Sequence, residues 1–180
     1  NIGEYKNRDQ YLAESVAQVD RLAAMVNDVL RSGSVAEQAL RQEKRLRIDK
    51  LLAEVVDDYR LLAKTRNMTF TVNAEPTTIR ANRDMMRHVI SNLVSNAVRH
   101  GDAGSVITIT CDQHELAIEN ACKPLTKQQL QHAFNPFYRS SAAAKQHADS
   151  SGIGLYMVKM LLDAKSLNYE FVPHGQGMRF

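Results

Sequence analysis

The stretch HVISNLVSNAVRHG, residues 88–101, most constrains what this chain can fold into. It is an apolar helical run, part of a helix expected over about 83–100, yet it carries two asparagines four apart, Asn92 and Asn96. An apolar helix face has to be buried against another layer. An amide on that face is costly unless something satisfies it. Residues four apart share a face, and Arg99 and His100 lie a turn further on. Either the amides bond to a neighbouring loop or they reach for a ligand; the helix alone leaves both open.

The flanking sequence offers a second layer. Residues 40–48 read as a short edge strand, and 49–66 as an amphipathic helix capped by Asp49. MTFTVNA (68–74) and TTIRA (77–81) alternate as strands around Glu75-Pro76, and VITITCD (106–112) with ELAIEN (115–120) reads as a hairpin. A short helix at 126–133, a helix at 151–165 and a last strand at 169–172 complete an α/β sandwich. Ahead of it, residues 7–32 form a separate helix, with an Asn7/Gln10 capping box and Ser32-Gly33-Ser34 as its stop. Leu12, Val16, Val19, Ala23, Val26 and Leu30 make a heptad seam there, widened by Leu22, Met25 and Val29, that suits a helical dimer bundle.

Composition narrows the class. The 180 residues, 44% hydrophobic and 24% charged, suit one globular domain with an extension. A net charge of +3 without a basic, aromatic-interleaved stripe argues against nucleic acid, and Lys44, Arg45 and Arg47 read as a solvated edge. Cys111 and Cys122 have no metal-ligand spacing and suggest no disulfide framework, so a reducing compartment is expected. No apolar run approaches the roughly 18 residues of a membrane span, and no signal peptide is visible. A polar opening without methionine and an ending at Arg179-Phe180, inside a strand, read as a fragment.

Three stretches bear on chemistry. The amides of Asn92 and Asn96 are neutral oxygen ligands suited to Mg²⁺, which shares its shell with phosphates, and Arg99 could meet phosphate charge. Ser151-Gly152-Ile153-Gly154-Leu155 opens a helix, where glycines admit close approach and free N–H groups face an anion. Phe134-Asn135-Pro136-Phe137-Tyr138-Arg139 precedes a run of small and polar residues, which suits a lid over 138–151 with Arg139 swinging toward phosphates. Each has a plainer reading alone: a side-chain bond to a loop, a tight turn into a helix, and a loop anchored by two core phenylalanines.

In this order and spacing, the sequence resembles the catalytic and ATP-binding domain of bacterial sensor histidine kinases, whose Bergerat fold is shared with gyrase, heat-shock 90 chaperones and MutL. The resemblance implies an α+β protein, a two-layer α/β sandwich preceded by one long heptad helix. Residues 1–38 would close a dimerisation and histidine-phosphotransfer hairpin, and 39–180 would form the ATP-binding domain. The opening IGEYKNRDQYL is also similar to sensor kinases of the vancomycin-resistance type. By this resemblance Asn96 matches the Mg²⁺-ligating asparagine and Asn92 the position one turn before, both candidate catalytic and metal-binding residues. Related ATPases carry a water-activating glutamate at the Asn92 position. An amide cannot serve as a general base near neutral pH, so ATP would be held for transfer rather than hydrolysed. Arg99 and His100 match positions that touch the phosphates and nucleotide. Phe134, Phe137 and Arg139 match the F box, and Gly152, Ile153, Gly154 and Leu155 the second glycine box.

The match has departures. Where the family's first glycine box reads Asp-x-Gly-x-Gly, this chain has Asn120-Ala121-Cys122-Lys123-Pro124. Asn120 can still accept from the adenine amino group, but without charge. Cys122 and Pro124 replace both glycines, and Ser150 stands where another is usual. None of His88, His100, His114, His132, His147 and His174 fits the acceptor histidine, which is therefore expected upstream of residue 1. The resemblance implies a kinase core that passes the γ-phosphate of Mg-ATP to that histidine, then to an aspartate in a response-regulator receiver domain. It would be the cytoplasmic domain of an inner- or plasma-membrane sensor, attached through N-terminal segments and homodimeric through its hairpin. The altered glycine box raises an alternative, a pseudokinase that keeps the fold as a binding module. The heptad helix and Asn92 argue against a Bergerat ATPase or an anti-sigma-type serine kinase.

Overall fold

A computed structural model of the chain describes residues 43–139 and 152–180. The helix expected over 7–32 and the stretch 140–151, including Ser150, lie outside the described residues. In order, the elements are β1 (Lys44–Arg47), α1 (Ile48–Thr65), β2 (Thr69–Ala74), β3 (Thr78–Ala81) and α2 (Arg83–His100). Then come β4 (Val106–Cys111), β5 (Leu116–Ala121), α3 (Lys127–His132), α4 (Gly154–Ala164), β6 (Val172–His174) and β7 (Gly177–Arg179).

Five strands form one sheet in the order β2-β4-β5-β7-β6, and β1 pairs β3 as a separate ribbon. β2 runs parallel to β4; the other neighbours are antiparallel. A parallel pair needs a crossover between its strands, and β3 with α2 supplies it. Along β4 burial alternates, with Ile107, Ile109 and Cys111 inside. They meet Leu51, Leu52, Val55 and Val56 of α1, Ile90, Val94 and Val98 of α2, and Val158 and Leu161 of α4 in one core. The helical layer over the sheet is the two-layer sandwich that the sequence suggested.

Several helix ends have a local cause. Asn82 caps α2 by accepting from Met85 N at 3.0 Å. Thr126 and Gln129 form a reciprocal capping box on α3. α1 and α4 both close with the Schellman pattern. Left-handed Asn67 (φ 55°) and Ser166 (φ 52°) follow them, with Met68 N on Ala63 O at 2.9 Å and Leu167 N on Leu162 O at 3.0 Å.

Three local expectations need correction. Asp49 does not cap α1, which begins at Ile48 with Arg47 at the cap position and no side-chain cap bond. Its carboxylate instead accepts from Arg47 at 2.7 and 2.5 Å and from Thr77 N at 3.3 Å. The bonded guanidinium, more than any other cause, holds that carboxyl down at about 2. The strands expected on either side of Glu75-Pro76 do form, in different sheets, because Thr77 O bonds Ile48 N while Glu75 N bonds Cys111 O. His114 and Glu115 lie in a turn, their N–H groups held by Asp112 at 2.7 and 2.9 Å, and β5 starts at Leu116. Residues 169–171 are not strand: Tyr169 and Phe171 join Phe134 and Phe180 in an aromatic cluster, and pairing begins at Val172.

Candidate functional site

The amides of α2 face the start of α4. Asn92 Nδ2 donates to His88 O, one turn back on its own helix, at 2.9 Å. That bond satisfies one end of the amide and leaves Oδ1 toward Gly154. A methyl group on Gly154 would stand 3.0 Å from Asn92 Oδ1 and 3.9 Å from Asn96 Nδ2. Ile153, buried at the N-cap of α4, has no side-chain cap bond. The positive end of the α4 dipole, with Gly154 and Leu155 in its first turn, thus opens beside two amides.

The F box and the glycines meet directly. Phe137 N donates to Gly152 O at 3.1 Å. Both residues are left-handed, with φ of 64° and 71°. A Cβ at Gly152 would lie 2.9 Å from both Phe137 C and Tyr138 O, and 3.1 Å from Arg139 Cγ. Only glycine fits there. The two phenylalanines differ in role. Phe134 is anchored against Tyr169, Phe171 and Phe180 at centroid distances of 5.6 to 6.3 Å, whereas Phe137 is 52% exposed.

A second cluster forms where α2 ends. Asn120 pairs with Ile107 and with Met178, which places it on the core-facing side of β5. Its Nδ2 would be 3.5 Å from a methyl group on Gly101. Asp102 N bonds Ala121 O at 2.8 Å, and Cys122 N bonds Gln176 O at 3.2 Å. Gly177 presses on the same place: a Cβ there would fall 2.0 Å from Asn120 O. Burial pushes the Cys122 thiol up despite a bond from Asn120, so the thiol stays protonated and inert at neutral pH. Arg99, half-buried, and His100, exposed, join the two clusters on the last turn of α2.

Residues 81–180 match the model of the family described as histidine kinase-, DNA gyrase B-, and HSP90-like ATPase. The chain belongs to this family. Over 181 residues it is 31% identical to the sensor histidine protein kinase HK06 of Streptococcus pneumoniae, covering 100% of this chain and 40% of that protein. It is 27% identical over 186 residues to the sensor protein VanSB of Enterococcus faecalis, covering 100% and 42%. The chain thus spans about 40% of the length of these curated relatives. Among solved structures, histidine kinase ThkA in complex with response regulator protein TrrA matches with a TM-score of 0.70 at 17% identity, covering 100% of this chain and 51% of that one. At that identity the likeness is one of fold.

On the histidine kinase-type ATPase domain, the expected residues fall into two groups. Asn92, Asn96, Gly152, Ile153, Gly154 and Leu155 come together where α2 meets α4, with Phe137 and Arg139 against Gly152. Asn120 and Cys122 sit apart, beside Gly101. Sequence reading missed Gly101, Gly177 and Arg66. Gly101 is signalled only as a glycine closing a helix. Gly177 and Arg66 are placed by contacts between distant segments, which no local pattern reveals.

Proposed function

We propose that this chain is the kinase core of a two-component sensor. It would bind Mg-ATP between α2 and α4 and deliver the γ-phosphoryl group to a histidine on a dimerisation helix. The observation that carries the reading is the close approach of the Asn92 amide to Gly154, which sets an asparagine-bearing helix face against a helix N-terminus whose N-cap residue supplies no side-chain cap. That N-terminus can donate N–H groups to phosphate oxygens. Arg99 and Arg139 would balance their charge. Asn96, with Asn92 beside it, fits a shared Mg²⁺, because an amide oxygen is a hard, neutral donor and phosphate oxygens complete the shell. When bound, Mg²⁺ supplies charge neutralisation at the phosphates.

The site holds rather than hydrolyses. Asn92 cannot take a proton from water near neutral pH, and its Nδ2 is already committed to His88 O. Catalysis is then positioning and charge balance. Asn120 would accept from the adenine amino group at the other end of α2. The response regulator in the ThkA complex supports a receiver domain as the next phosphoryl acceptor. The names of HK06 and VanSB support a sensor as the parent protein; this chain would be its cytoplasmic part, homodimeric through the hairpin. Among the described residues no helix is long and apolar enough to cross a membrane.

Calorimetry with ATP and Mg²⁺ tests the reading. Asn96→Ala should weaken Mg-dependent ATP binding at least about tenfold, the loss of one charge-assisted ligand. Binding unchanged in that variant removes the metal role of Asn96. Transfer of labelled phosphate to a supplied histidine-bearing dimerisation domain tests the kinase step, and binding without transfer would favour the pseudokinase.

A further inference from the structure

We infer that Arg66 is a positioning residue for nucleotide binding, acting through the last turn of α2; this rests on the ATP reading above. The residue follows α1 and is half-buried. Its Nη1 donates to Val98 O and, at 2.7 Å, to Arg99 O, and its Nη2 donates to Gly101 O at 2.9 Å. Its backbone carbonyl accepts from Gly104 N at 3.0 Å, tying the turn beyond Gly101 to the same residue.

Of the three long helices α2 alone ends without a left-handed residue, and the difference singles out Arg66. α1 and α4 close with left-handed residues whose neighbours satisfy the last carbonyls. At the end of α2, Gly101 is extended (φ −67°, ψ 155°), and its N–H reaches only Ala97 O, at 2.9 Å. Carbonyls of the last turn would otherwise point outward without partners. A single guanidinium gathers three carbonyls at this end of the helix. A cation at a helix C-terminus also offsets the negative end of the dipole.

That turn joins the two parts of the site. It carries Arg99 and His100, and Gly101 packs against the Asn120 amide. Clamping Val98, Arg99 and Gly101 before ligand arrives fixes the separation between the phosphate residues and the adenine residue. A site held in its bound geometry binds more tightly than one that must be ordered.

The 180-residue chain supplies the test. Arg66→Met keeps the length of the side chain and removes the donors. Its ATP affinity, measured well below its melting midpoint, should fall at least about tenfold, the loss of charge-assisted bonds to carbonyls. Arg66→Lys keeps the charge but not the fork and should recover part of that loss. A folded Arg66→Met that binds ATP like the parent overturns the proposal, as does an Arg66→Lys no better than Arg66→Met. Should Arg66→Met not fold, an unchanged affinity in Arg66→Lys overturns it and a several-fold loss supports it. A parent chain that fails to bind ATP overturns the nucleotide reading as well, so the two failures are distinguishable.

Discussion

The two ends of the site are built from different materials. At the phosphate end, side chains meet glycines across two helices and a loop: Asn92 faces Gly154, and Phe137 bonds Gly152. At the adenine end, backbone meets backbone within a sheet: Asn120 and Ala121 are pinned by Gly177, Asp102 and Met178. Damage at the adenine end should therefore appear as lost stability. Damage at the phosphate end should appear chiefly as lost binding.

Gly177→Ala is the largest break. A methyl group 2.0 Å from Asn120 O forces β7 away from β5, and overpacking against backbone in a sheet should cost about 3 kcal/mol or more. Urea unfolding would read that loss together with weakened ATP binding. Gly152→Ala comes next, since it needs a left-handed alanine and meets two backbone atoms at 2.9 Å. About 2 kcal/mol of stability should go, and ATP affinity should drop further than in a variant of equal stability altered elsewhere. Equal behaviour of the two glycine variants would erase the contrast between the ends.

Asp49 provides the smallest effect and a reference remote from both ends. Its carboxyl is held at about 2, below the ordinary 3.8, chiefly by Arg47. The stabilisation is full above the ordinary value and is lost as pH falls through 3.8 toward 2. Asp49→Asn should be slightly less stable at neutral pH and should show a shallower acid decline in that window, with ATP affinity at neutral pH unaltered. Urea midpoints across the acid range check the first part and calorimetry the second.

Much of this was legible in sequence because it is periodic or local. The alternation of β4 and the apolar stripe of α2 gave their faces directly, and α2 spans 83–100 as expected. The residues brought together around Gly154 were readable as motifs because each contributes its own chemistry at short spacing. What escaped depends on contacts between segments far apart. The parallel pairing of β2 with β4 and the separate β1–β3 ribbon depend on where Pro76 breaks the chain. Tyr169 and Phe171 read as strand, but Phe134 draws them into a cluster instead. Arg66 looked like any basic residue in the last turn of a helix, since its carbonyl partners lie more than thirty positions away.

The place of β7 between β5 and β6 bears on the order in which the molecule assembles. Helices α1 and α2 and the β4–β5 hairpin can form from near neighbours, which is fast. Asn120, however, receives its partner Met178 only from the far end of the described chain, and Ile118 exchanges both hydrogen bonds with Phe180. On a ribosome, the wall beside Asn120 is therefore completed only after the helix that bears Asn92 and Asn96 has already formed.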